Sequence, residues 1–324
     1  MLSVFVPGPG GLTRVETPAG AIVPPEAVWI DLLEPRPDEE KSVETALGID
    51  VPTREEMREI EASNRLYEDN GILYMTATIV TKLDTDLPES TQVTFILTGS
   101  RLVTNRYTDP LPFRRFLAYA QTHPAACNTG ALLFVGLLEA IINRIADVLE
   151  RVGADLDSTS AEVFAEAHKK RPAQRDFREV LGRVGQSGEL VSKARESLVS
   201  LGRSLVFVQQ TTNSQLTSDI RTRLRTLSRD VLAMSDHASF LGDKVMFVLD
   251  ATLGMVTIDQ NNILKIFSVV TVFLLPPSVV GAFYGMNFEY IPMLHETWGQ
   301  WVGLGMMVLS ALVPYLIFKK KGWL

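Results

Sequence analysis

The chain has 324 residues, 31 Lys and Arg against 38 Asp and Glu, a formal net charge of −7 and a mean hydropathy of +0.13. A single cysteine, Cys127, excludes a disulfide scaffold and a cysteine-based zinc site, and the acidic balance argues against a nucleic-acid partner. So high a hydropathy beside 21% charged residues requires the charged and apolar residues to be segregated, which excludes an ordinary water-soluble globule.

The chain opens with Leu2, Val4, Phe5, Val6 and Pro7. There is no basic segment and the apolar run is too short for a signal peptide. Residues 1–126 are expected to form an α/β domain. Val28-Trp29-Ile30-Asp31-Leu32 has the pattern of a short buried strand. Ile72 to Val80 and Gln92 to Leu97 are rich in apolar, β-branched and Thr residues, again a strand signal. Thr98-Gly99-Ser100-Arg101 predicts a hairpin joining Thr91–Thr98 to Leu102–Tyr107. Two helices are expected between the strands. One opens at Pro37-Asp38-Glu39-Glu40 and ends at Gly48; the other opens on a capping box with Thr53 at N-cap and Glu56 at N3.

Residues 127–262 read as a helical stalk. Phe134, Leu138, Ile141, Ile145, Val148 and Val152 follow in steps of three and four. Phe177, Val184, Val191, Leu198 and Leu205 recur every seven residues, with Val180, Ala194, Leu201 and Val208 as the second seam and Ser187 its polar intruder. That is a coiled-coil pattern. Lys169-Lys170-Arg171-Pro172 is expected to separate the first two long helices, and the polar cluster from Thr211 to Asp219 to turn the chain again. From about Ile220 to Tyr284 no stop signal occurs, so a helix of about 95 Å is expected.

Residues 263–324 read as a membrane domain: a first span over 263–284, an external loop over 285–300 and a second span over 301–318. Each span approaches the roughly 20 apolar residues that cross a bilayer. Lys319, Lys320 and Lys321 form a basic ring directly after the second span, Lys265 stands at the start of the first, and the loop carries no Lys or Arg. The positive-inside rule then places both termini in the cytoplasm. Within the first span the hydroxyls share one stripe, which runs Asn261, Leu264, Ser268, Thr271, Leu275, Ser278, Ala282. Phe267, Val270, Phe273, Leu274 and Val280 are expected to point outward. A narrow polar face on an apolar helix belongs against a water-filled or protein-filled interior. The alternative reading is hydroxyls that bond back to their own helix carbonyls. Pro276-Pro277 is expected to interrupt the helix ladder, and Gly281-x-x-x-Gly285 to permit close helix approach.

Tyr284-Gly285-Met286-Asn287-Phe288-Glu289-Tyr290 follows the first span. This sequence resembles the CorA family of divalent-cation channels, whose signature is Gly-Met-Asn at this place. Gln260-Asn261-Asn262-Ile263-Leu264-Lys265-Ile266-Phe267-Ser268, Pro52-Thr53-Arg54-Glu55-Glu56-Met57 and Arg65-Leu66-Tyr67 are similar to the family as well, so the resemblance covers essentially the whole chain. It implies a funnel-shaped homopentamer with an α+β cytoplasmic domain, long coiled-coil helices and two transmembrane helices per subunit in the bacterial inner membrane. It also implies Gly285, Met286 and Asn287 as a selectivity filter for a hydrated ion. Magnesium sheds water reluctantly and prefers oxygen, so neutral carbonyl and amide oxygens suit it. Leu275 and Phe267 are candidate constrictions that close by dewetting. The loop departs from the family's common Met-Pro-Glu-Leu, reading Ile291-Pro292-Met293-Leu294. That leaves Glu289 and Glu296 to recruit cations by focusing, and His295-Glu296 reads as solvated loop. Members are closed by intracellular magnesium between subunits, and Asp230 and Asp236 are the stalk carboxylates assigned that role, against the repulsion of Arg221, Arg223, Arg225 and Arg229.

The expected activity is Mg2+ influx, with Co2+ and Ni2+ as alternates and with no cofactor beyond the ion. A ZntB-like zinc transporter and a membrane-anchored coiled-coil sensor or scaffold remain as alternatives. No enzyme is expected, because the chain has no P-loop, Gly-x-Ser-x-Gly or His-Glu-x-x-His.

Overall fold

The structure is a computed structural model. It describes residues 1–15, 23–83, 85, 88–167, 177–211, 216–287 and 296–321. Packing divides the chain into two compact units, Met1–Asp250 and Ala251–Leu324.

The first unit holds a seven-stranded sheet in the order β2-β1-β3-β7-β6-β5-β4. The strands are β1 (Leu2–Gly8), β2 (Gly11–Val15), β3 (Trp29–Leu33), β4 (Leu66–Asp69), β5 (Ile72–Thr81), β6 (Glu89–Thr98) and β7 (Arg101–Arg106). Only β3 and β7 run parallel. The β6–β7 hairpin forms where the sequence predicts it, with Thr98 opposite Arg101 and Gly99 at φ +57, a left-handed conformation glycine adopts freely. β1 and β2 form where no strand is expected from the sequence. Their hairpin packs so closely that a Cβ on Gly11 (φ +132) would collide with the Ala120 carbonyl.

Helix α1 (Pro37–Leu47) begins and ends as expected. The Arg36 amide donates to Glu39 Oε2 at 2.9 Å, and Gly48 closes the C-terminus at φ +63. The second expected helix does not form. The capping-box bonds are present, Thr53 N to Glu56 Oε2 at 2.8 Å and Glu56 N to Thr53 Oγ1 at 3.3 Å. They close only a three-residue 3-10 turn, Glu56–Arg58, before the short α2 (Ala62–Arg65). Met57 is buried while Ile60 is 86% exposed, so no apolar stripe exists to hold a longer helix.

A buried polar chain crosses the sheet. Trp29 Nε1 donates to Thr104 Oγ1 at 3.0 Å, and Thr104 Oγ1 donates to Asp31 Oδ1 at 2.7 Å. Arg106 grips both Asp31 oxygens at 2.9 and 2.8 Å and reaches Asp109 at 2.8 Å. Burial works against the Arg106 charge, but the bonds and charges of Asp31 and Asp109 outweigh it and raise its pKa.

Helix α3 (Leu111–Ala120) is followed by α4 (Gly130–Ala167), α5 (Phe177–Thr211) and α6 (Ser218–Tyr284). The α4 residues Phe134, Leu138, Ile141, Ile145, Val148 and Val152 are all buried. So are both seams of α5, Ser187 included, apart from its first residue, Phe177, which is half-buried. Glycines bring α5 against the first part of α6: a Cβ on Gly188 would meet Val245 at 3.2 Å, and one on Gly202 would meet Val231 at 3.2 Å. The Thr78 amide on β5 donates to Ser200 Oγ of α5 at 2.8 Å, which ties the sheet to the helices. Lys169-Lys170-Arg171-Pro172 and Thr212-Asn213-Ser214 lie outside the described residues.

Candidate functional site

The second unit contains the end of α6 and all of α7 (Gly299–Lys320). Both α6 and α7 are long and apolar enough to cross a membrane. Over 263–284 the half-buried residues of α6 are Val269, Val272, Phe273, Pro276, Pro277, Val280, Gly281 and Tyr284, which lie on one side at about 100° per residue. This face packs on α7: the Phe273 and Tyr315 rings lie 5.8 Å apart, and a Cβ on Gly281 would meet Met307 Cε at 2.6 Å.

Asn261, Leu264, Ser268, Thr271, Leu275, Ser278 and Ala282 are all exposed. By the same rotation they occupy the side of α6 away from α7. Phe267, Val270 and Leu274 form a third, apolar exposed side, at 66%, 47% and 63% exposure. Phe273 and Val280 do not point outward as expected but belong to the α7 contact, because the i, i+3, i+4 spacing from Val269 to Tyr284 defines that contact. Thr271 Oγ1 donates to the Phe267 carbonyl at 2.8 Å and Ser278 Oγ to the Leu274 carbonyl at 2.6 Å. Their protons are used within the helix, as the alternative reading requires. Each oxygen keeps acceptor lone pairs.

At the end of α6 the Gly285 amide donates to the carbonyls of Gly281 and Ala282 at 3.0 and 3.2 Å, and the Met286 amide to Phe283 at 3.3 Å. The backbone thus closes the helix without the Asn287 amide. Met286 and Asn287 are exposed. Gly281, Tyr284 and Gly285 line a cavity of about 470 Å3 with Gly299, Gly303 and Met307. Glu289 lies outside the described residues, as does His295; Glu296 is exposed and its carbonyl accepts from Gly299 at 3.0 Å. Lys319 and Lys320 end α7, Lys321 follows, and Lys319 Nζ stands 5.9 Å from the Tyr315 ring centre.

Asp230 and Asp236 are exposed on α6 but six residues apart, which puts them on different sides of the helix. Among the described residues no three His, Cys, Asp or Glu side chains gather closely enough to hold a metal ion.

A model of the CorA-like Mg2+ transporter protein family matches residues 25–320. The chain belongs to the CorA-like Mg2+ transporter family. The magnesium transport protein CorA of Salmonella typhimurium is 33% identical over 324 residues, all of both chains. The fold is that of the CorA magnesium transporter from Methanocaldococcus jannaschii, with a TM-score of 0.76 at 18% identity over 100% of this chain and 99% of that one. The cytoplasmic domain of ZntB from Vibrio parahaemolyticus matches 78% of this chain and 96% of its own with a TM-score of 0.56 at 12% identity, a likeness of fold alone. The CorA fold of this chain is an α/β domain, a long helix and a C-terminal apolar helix. Its relatives are named for transport, not catalysis.

Proposed function

We propose that this chain forms a homopentameric Mg2+ channel of the inner membrane, with the stripe from Asn261 to Ala282 lining its axis and Gly285-Met286-Asn287 selecting the hydrated ion. The observation that carries this reading is the polar stripe left uncovered on the side of α6 away from α7, directly before Gly-Met-Asn. One helix cannot enclose a pathway, so the stripe needs symmetry-related copies. Neutral oxygens from Asn287 and the Gly285 backbone hold an ion through its water shell weakly enough for it to leave. An inside-negative potential drives entry at about 2.3 kcal/mol per charge per 100 mV, about twice that for a divalent ion. On this reading residues 1–126 and 127–262 are cytoplasmic, both termini face the cytoplasm, Co2+ and Ni2+ are further substrates, and Glu289 and Glu296 concentrate cations at the outer mouth. Intracellular Mg2+ closes the channel, with Asp230 and Asp236 as the carboxylates to test.

The test is influx into liposomes that carry the purified protein and a trapped Mg2+ dye, with Asn287→Ala alongside. Influx lost in the variant while the assembly stays intact supports the filter. Equal influx in both removes Asn287 from the mechanism. A response from a Zn2+ dye alone turns the assignment to zinc, and silence for every divalent ion favours a sensor.

A further inference from the structure

A cleft of about 520 Å3 in the first unit is lined by residues of α3, the turn before α4, α4 and the start of α6. This volume lies in the range of small-molecule sites. Phe116, Leu132 and Ala140 supply apolar lining, while Arg115, Tyr119 and Asn143 supply polar groups. Glu139 also lines it but is matched by Arg223, whose Nε and Nη2 meet the two Glu139 oxygens at 3.0 and 2.6 Å. The bond to Glu139 raises the Arg223 pKa against the opposing effect of burial, and the pair adds no net charge. Arg115 is exposed and makes no ion pair among the described residues. The cleft therefore carries one uncompensated guanidinium, a group whose planar fork suits phosphate.

Two aromatic residues adjoin that charge. Phe116 reaches the cleft wall but is buried against Trp29, 6.1 Å between ring centres, whereas Tyr119 is half exposed and stacks on His123 with ring centres 3.9 Å apart at 15°. Aromatic side chains of this kind stack on nucleic-acid bases. Asn143 offers the paired donor and acceptor that fit the N6/N7 edge of adenine. We propose that this cleft binds a small adenine nucleotide, with its phosphate on Arg115, its ring on Tyr119, and its edge on Asn143. Arg223 stands on α6, so the ligand adds a contact at the root of the helix that runs on into the first span.

The test titrates full-length protein in detergent with AMP by calorimetry at fixed free Mg2+; AMP binds that ion too weakly to disturb it. Saturable binding is expected, at least tenfold tighter than adenosine or inorganic phosphate alone. Arg115→Ala should weaken it at least tenfold, and Ala140→Leu, which fills the cleft, should abolish it. Arg114→Ala should leave it unchanged, because Arg114 pairs with Asp109 at 3.4 Å outside the cleft. The proposal is overturned by no saturable AMP binding, by binding that survives both Arg115→Ala and Ala140→Leu, or by phosphate alone binding as tightly as AMP. Ion flux does not enter the readout, so failure here and failure of the channel reading are separate results.

Discussion

A cysteine scan of α6 tests whether its uncovered stripe meets water. The background is low, because Cys127 is buried, its Sγ donates to the Pro124 carbonyl at 3.2 Å, and burial pushes its thiol pKa up. Single cysteines at Thr271 and Ser278 sample the stripe, at Val270 and Leu274 the apolar exposed side, and at Val269 and Val272 the face on α7. The protein in liposomes meets a charged, membrane-impermeant methanethiosulfonate, which reacts only with a thiolate. A charge at the centre of the hydrocarbon costs about 2.5–3.5 kcal/mol. At about 1.4 kcal/mol per tenfold, this predicts a roughly 60- to 300-fold slower reaction at a lipid-facing position than at a water-lined one. Thr271→Cys and Ser278→Cys should therefore outpace Val270→Cys and Leu274→Cys by about two orders of magnitude, with the α7-facing pair also slow. Equal rates on all three sides, or fastest reaction at positions 270 and 274, would refute the assignment of the stripe to the pathway.

Three further substitutions test the packing. Arg106→Ala strands the Asp31 carboxylate, whose side chain is only 8% exposed, and should cost about 3–5 kcal/mol in denaturant unfolding. Asp109→Ala removes a partner that is 42% exposed and should cost less than about 1 kcal/mol; similar losses would show that Asp31 does not anchor the network. Gly281→Leu drives a side chain into Met307 Cε and should cost about 1–3 kcal/mol of thermal stability in detergent. Met307→Ala should restore it, and failure to do so would move the strain elsewhere. Burial and the charge of Glu44 raise the Glu40 carboxyl pKa, against the opposing hydrogen bond from the Tyr107 hydroxyl. A raised folded pKa means that stability is lost as pH rises through it. Glu40→Gln should therefore stabilise the protein at pH 7 and lose that advantage below the ordinary glutamate pKa of about 4.3; an advantage that does not change with pH would exclude the charge as its cause.

The helical parts of the fold were legible because their apolar residues repeat. The heptads from Val180 to Val208 and the steps from Phe134 to Val152 are buried in the structure, and such periodicity survives any tertiary arrangement. The β1–β2 hairpin was not legible, since its register depends on Gly11 meeting the Ala120 carbonyl, more than a hundred residues away in sequence. The same holds for the parallel pairing of β3 with β7, which no local pattern encodes. The Thr53–Glu56 capping box misled because a cap satisfies the first amides of a helix but cannot supply the buried face that sustains one. At the candidate site the motif and the stripe could be read from spacing, whereas the division of the apolar residues between α7 and the third side could not. Phe273 and Leu274 are equally apolar, and only the position of Tyr315 separates them.

That division also decides what the proline pair contributes. Pro276 and Pro277 have no amide hydrogen, so the carbonyls of Val272 and Phe273 lose their i+4 donors, although α6 continues through both. Ser278 does not make good the loss, because its hydroxyl bonds to the Leu274 carbonyl. Freed carbonyls in a membrane are tolerated only against protein or water. Val272, Phe273 and Pro276 all belong to the face that packs on α7, so the interruption of the ladder lies on the covered side of α6. The uncovered stripe then presents side-chain oxygens, from Asn261, Ser268, Thr271 and Ser278, interleaved with the apolar positions Leu264 and Leu275. An ion passing there would meet weak, neutral acceptors spaced along an apolar wall, the arrangement that suits a cation keeping its water shell.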